Sequence, residues 1–173
     1  MTSEGKPADI NAPTTAFGRL ADTISNAAGV VSAVCVVAIL VIVCAEVLLR
    51  HLNHSLLVTD EIAGYLNAAV IFLGLGYTLK SGGFIRVELI FEALPAPLRL
   101  AAKWLFTLIS AAAVGMLLYY AIQHVIYAFD QDTRAISILD TPEWIPQSVM
   151  VIGLAVLLLQ LLAFIVERVR TAP

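Results

Sequence analysis

Residues 23–45 read TISNAAGVVSAVCVVAILVIVCA, a run without one charged side chain. Asp22 closes it on one side and Glu46 on the other. A helix needs roughly 20 apolar residues to cross a hydrocarbon core about 30 Å thick, and this run fits. Three more uncharged runs follow, from Ile62 to Leu79, from Trp104 to Phe129 and from Trp144 to Val166. The second is short enough that its helix must reach past the flanking charges. The third is long enough that its helix must tilt or protrude. Backbone polar groups cannot find water inside a bilayer, so each run must bond to itself as a helix. The fold class expected is an all-α integral membrane protein with four transmembrane helices.

Composition agrees with that expectation. Of 173 residues, 60% are hydrophobic and 13% are charged, where a soluble domain carries about a quarter charged. So few charges cannot cover a core of this size, and lipid is the solvent that tolerates an apolar surface. The net charge of −3, with no basic tract and no glycine-rich phosphate loop, argues against a nucleic-acid partner.

Basic residues set the expected orientation. Lys6 and Arg19 precede the first run; Lys80, Arg86, Arg99 and Lys103 lie between the second and third; Arg168 and Arg170 follow the fourth. Only Arg50 and Arg134 fall in the other connections. The positive-inside rule then places both termini and the middle connection in the cytoplasm. Residues 1–22 are expected to form a disordered cytoplasmic lead, with the first apolar run acting as an uncleaved insertion signal. Residues 23–170 are expected to form one four-helix domain, with spans at about 23–49, 62–80, 100–129 and 142–166. Ser81-Gly82-Gly83 ends the second span. Between it and the stops at Pro95 and Pro97, Phe84, Ile85, Leu89, Ile90 and Leu94 give an apolar stretch read as a short interfacial helix. Thr141-Pro142 reads as a cap and first turn for the fourth span, with Trp144 at headgroup level.

The chemically notable residues each have a plain structural reading beside the functional one. Cys35 and Cys44 are nine positions apart. That is two and a half helical turns, so they face opposite ways and cannot bridge each other. His51, His54 and His124 raise a b-type cytochrome anchor, in which facing helices each supply a haem ligand. However, His51 and His54 lie just outside the first span, leaving His124 alone at membrane depth. Glu46 is the most deeply placed acid and could serve a small cation/proton exporter. Arg50 follows four residues later, in the favourable order for an ion pair within one helix, and that pair accounts for both residues. Asn67 and Gln160 are amides inside apolar runs, where amides bond between helices. Gly64 with Ala68, Gly29 with Ala33 and Ala111 with Gly115 make small-residue pairs that allow close helix approach. There is no catalytic triad, no metal cluster and no carboxylate pair in a pocket. The residues point to a non-enzymatic scaffold without a cofactor.

From Glu46 to Arg99 the sequence reads EVLLRHLNHSLLVTDEIAGYLNAAVIFLGLGYTLKSGGFIRVELIFEALPAPLR. This stretch resembles the small membrane subunit, DctQ type, of tripartite ATP-independent periplasmic (TRAP) transporters. The resemblance rests on several features in order. Glu46 and Arg50 end the first span, and Asp60-Glu61 closes a short loop. Phe72-Leu73-Gly74 lies in the second span, followed by a basic residue, Gly82-Gly83, an Ile-Arg-Val run around Arg86, and finally Leu94-Pro95 and Arg99. Lys80, Phe84 and Glu88 stand where that family usually has Arg, His and Asp. The region Pro142 to Pro146 also fits.

The resemblance implies a part in importing an organic acid across a bacterial inner membrane. A periplasmic binding protein would deliver the substrate, and a large multi-span subunit would carry it, driven by an ion gradient that is usually sodium. The small subunit would clasp the large one without holding substrate. On this reading Glu46, Arg50, Asp60, Glu61, Gly64, Asn67, Gly74, Gly82, Gly83 and Arg86 are interface or structural residues. Gly82, Gly83 and Arg86 would hold the cytoplasmic turn. Arg50, Asp60 and Glu61 would fix the outer turn, within reach of the binding protein.

Overall fold

The computed structural model of the protein describes residues 15–52, 58–81, 95–135, 137 and 139–171. Within them the chain is four helices: α1 (Ala16–His51), α2 (Thr59–Lys80), α3 (Ala96–Asp130) and α4 (Trp144–Thr171). Each contains a segment long and apolar enough to cross a membrane: Ala16–His51, Thr59–Lys80, Trp104–Asp130 and Trp144–Val166. The chain is therefore a multi-pass membrane protein.

The ends of the helices follow from local chemistry more than from the apolar runs. α1 begins at Ala16, well before the expected start of the span, because Thr15 caps it: its hydroxyl accepts the Gly18 amide at 2.9 Å. Arg19 and Asp22 end the apolar run without ending the helix. α2 begins at Thr59 and takes Asp60 and Glu61 into its first turn. Acidic groups there favour the positive end of the helix dipole. α4 begins at Trp144, not at Thr141-Pro142. The reason is that both residues are committed elsewhere: Pro142 bridges Arg134, and the Thr141 hydroxyl donates to Glu61. The expected interfacial helix, with Gly82, Gly83 and Arg86, lies outside the described residues, as does His54.

Packing centres on α4. In its most apolar 18-residue window 39% of residues are buried, against 6%, 11% and 6% for α1, α2 and α3. α4 packs on each of the other three, α1 packs closely on α2, and α3 has α4 as its main partner. Three helices thus form a compact unit, with α3 laid along its outside.

Small side chains make the α1–α2–α4 contacts close. Gly18, Ser25, Ser32 and Glu46 are buried and recur on a seven-residue rhythm along α1, the period that keeps one seam facing a neighbouring helix. A Cβ at Gly76 would lie 2.7 Å from Val156 Cγ1, and one at Gly29 would lie 2.9 Å from the Tyr77 ring. At Gly153 a Cβ would run into the carbonyl of Phe72, so α2 and α4 touch there backbone to backbone. The outward faces are apolar: Val30, Val34, Val37 and Val41 of α1 are exposed, as are Leu105, Ile109, Met116 and Tyr120 of α3.

Candidate functional site

Two clusters of polar side chains lie at the two ends of the bundle. At one end Lys80, closing α2, reaches back to α1, with Nζ 3.2 Å from Asp22 Oδ2 and donating to Asn26 Oδ1 at 3.0 Å. Gln160 of α4 completes the set. Its amide nitrogen donates to Asp22 Oδ1 at 2.9 Å, and its carbonyl accepts the Ser25 hydroxyl at 2.9 Å. Gln160 and Ser25 are both buried. One carboxylate, one ammonium and one amide thus tie three helices together. Midway along, the Ser32 hydroxyl donates to the Val70 carbonyl at 2.9 Å, a further joint between α1 and α2.

At the opposite end Glu46 joins α1 to α2. Oε1 accepts from Arg50 Nη2 at 3.0 Å, while Oε2 accepts the Thr59 hydroxyl at 3.2 Å. The Glu46 side chain is 6% exposed and the Arg50 side chain 68%. Arg50 therefore bridges from the buried acid to the surface. Beside it Glu61 holds the segment leading into α4. Oε1 accepts from Tyr65 at 2.7 Å, from Ser137 at 2.8 Å and from Thr141 at 3.2 Å. That segment is itself braced. Ala135 N–H donates to the Thr141 carbonyl at 3.0 Å and Glu143 N–H to that of Thr133 at 3.1 Å. Arg134 lies 3.5 Å from Asp132 and 3.3 Å from Asp140. Asp132 and Asp140 take positive φ, 45° and 47°, a region that short polar side chains tolerate. The Asp132 carboxylate foremost, with Asp140, holds the Arg134 guanidinium above its usual range.

Because the start of α1 meets the end of α2 at one end, and the end of α1 meets the start of α2 at the other, the helices run alternately up and down. Arg19 and Lys80 consequently lie at the same end of the bundle.

The sequence-derived candidates divide into three groups. Glu46 and Glu61 are inter-element joints, and Arg50 braces Glu46 within α1. The Glu46–Arg50 pair forms as its spacing indicates, and Gln160 bonds between helices as an amide in an apolar run should. Gly74 also faces inward, where a Cβ would sit 3.3 Å from Ser32 Oγ. Asp60, Gly64 and Asn67 form the second group: they are exposed on the outside of α2. Gly82, Gly83 and Arg86 lie outside the described residues. Sequence reasoning passed over Asp22, Ser25, Gly76 and Gly153. An acid beside a serine at the edge of an apolar run was a usable signal for the first two. A lone glycine in such a run says only that something approaches, not what.

Cys35 is half-buried and Cys44 exposed. Among the described residues, no group of three His, Cys, Asp or Glu could hold a metal ion. The polar atoms of the two clusters bond to one another across helices.

Residues 39–171 match the family described as tripartite ATP-independent periplasmic transporters, DctQ component. The chain belongs to the DctQ family. It is also 29% identical over 108 residues to the ectoine TRAP transporter small permease protein TeaB of Halomonas elongata. That match covers 60% of this chain and 55% of TeaB, so the two align over about half the length of the relative. DctQ membership makes the chain a component of a transporter family rather than of an enzyme family. The family match includes Glu46, Glu61, Lys80 and Gln160 and begins after Asp22 and Ser25.

Proposed function

We propose that this DctQ-family chain is the stationary small subunit of a TRAP importer in a bacterial inner membrane. A large multi-span subunit carries the substrate, an organic acid, through the membrane against the frame that this chain enlarges. A periplasmic binding protein delivers the substrate, and a sodium gradient drives the cycle. Both termini and the α2–α3 connection are cytoplasmic, an orientation that the shared end of Arg19 and Lys80 supports.

One observation carries this reading. Among the described residues, the buried Glu46 and the buried Gln160 both bond across helices. A proton or substrate carrier needs its intramembrane polar groups free to change partners. A frame needs them spent on rigidity. The relative TeaB is named for ectoine. In a frame subunit that specificity rests with the companions, so it does not pass to this chain through likeness.

The test is reconstitution in proteoliposomes with the large subunit, the binding protein and this chain. Uptake of an organic acid should need all three components. It should survive Glu46→Gln in this chain within about threefold, because the amide keeps an acceptor for Thr59. Transport by this chain alone, abolished by Glu46→Gln, would reject the frame reading and support an exporter.

A further inference from the structure

Four exposed residues of α2 fall on one line: Asp60, Gly64, Asn67 and Ile71. Their spacings of four, three and four are those of a helix face that packs along another helix. Other residues of α2 are engaged within the chain. Val70 accepts from Ser32, Phe72 meets Gly153, and Gly76 lies against Val156 and Ser25. On the outer line a Cβ at Gly64 would meet nothing within 4 Å. Asn67 lies about 10 Å further along the helix than Asp60, at 1.5 Å per residue. Its carboxamide is therefore at membrane depth and exposed. Polar groups at that depth belong against protein, because lipid tails offer no hydrogen bond.

We propose that this line seats one transmembrane helix of the large membrane partner. That helix would present a basic side chain to Asp60, a small residue to the notch at Gly64 and a hydrogen-bonding group to Asn67. The proposal rests on the small-subunit reading above and names the face that serves it. Charge selects the occupant. A second copy inserted in the same sense would set α2 parallel to its twin about a two-fold axis, so that equal residues meet. Asp60 would then oppose Asp60, and like charges across an interface select against the pairing. Lipid would leave Asn67 without a partner. A different chain carrying the complementary charge meets both demands.

The test is a pull-down of the tagged full-length chain from its native membranes in mild detergent. Two variants are compared with wild type: Gly64→Leu with Asn67→Leu together, and Val41→Leu on the exposed face of α1 as a control. The open space around Gly64 lets the double variant fold, and equal recovery and equal helical content by circular dichroism verify this. The expected result is at least a tenfold loss of a much larger multi-span protein from the double variant and none from the control. A double variant that keeps the partner as wild type does would overturn the assignment of this face alone. Wild type recovered without any larger membrane protein would overturn the small-subunit reading, and this proposal with it. Oxidative cross-linking of Asn67→Cys in a Cys35→Ala, Cys44→Ala background gives a second arm. A disulfide between two copies of the chain would overturn the choice of occupant.

Discussion

Glu46 makes two kinds of bond, and substitutions separate them. The contact with Arg50 ends in a largely exposed guanidinium but compensates a carboxylate that is itself buried. The contact with Thr59 is buried. Glu46→Leu leaves the Thr59 hydroxyl without that acceptor, a loss of about 1–3 kcal/mol. Arg50→Ala takes the cation from that buried carboxylate and should also cost about 1–3 kcal/mol. Thermal unfolding of the purified chain in detergent would show both losses, and an Arg50→Ala variant that melts as wild type does would contradict the compensation of Glu46 by Arg50. Gln160 is the more demanding position, since Ser25 and Asp22 both bond to it. Gln160→Leu should destabilise by about 1–3 kcal/mol, near the upper end of hydrogen-bond effects seen inside membranes. In the same assay Gln160→Leu should melt below wild type, and a Gln160→Leu variant that melts as wild type does would contradict the joint described.

For the helices, the glycines give the sharpest contrast. Gly153→Ala sets a methyl against the Phe72 carbonyl, and a backbone cannot rotate aside. A loss of about 1–3 kcal/mol is expected, as for other overpacked sites. Gly115→Ala adds its methyl to open space and should leave the melting point unchanged or slightly higher, since alanine favours the helix. The reverse order in a melting experiment would contradict the packing described. The same contrast shows what the sequence could convey. The four helices were legible because a charge-free run of membrane length has few other solutions. Their ends were less so: Thr15 prolongs α1 beyond its apolar run, and Thr141 is drawn away from α4 by Glu61. The Glu46–Arg50 pair is local and could be read from spacing. Thr59 as its second partner, and Asp22 as the partner of Gln160, are contacts across the fold that no local pattern contains. Gly64 and Gly153 look alike in sequence, yet one faces open space and the other a neighbouring backbone.

At the scale of the whole molecule, orientation is the property most directly open to experiment. With the termini cytoplasmic, a cysteine placed at Ala172 in a Cys35→Ala, Cys44→Ala background should resist a membrane-impermeant maleimide in intact cells. One placed at Ser137, on the opposite side, should react. Labelling of both, or of Ala172 alone, would contradict the proposed orientation. The two-ended distribution of polar joints also predicts how the molecule fails. Loss of the Gln160 set should loosen α4 from α1 while the Glu61 ties to Ser137 and Thr141 hold. Hydrogen exchange should then rise near Gln160 before it rises near Trp144.

The Gln160 cluster also bears on biogenesis. Asp22, Ser25 and Lys80 leave the ribosome before Gln160, so the first hairpin waits in the membrane with an incomplete set of bonds. Synthesis of the last helix supplies the missing amide and closes the bundle. A nascent chain stopped before Trp144 holds the Asp22–Lys80 pair without the amide that ties it to the last helix.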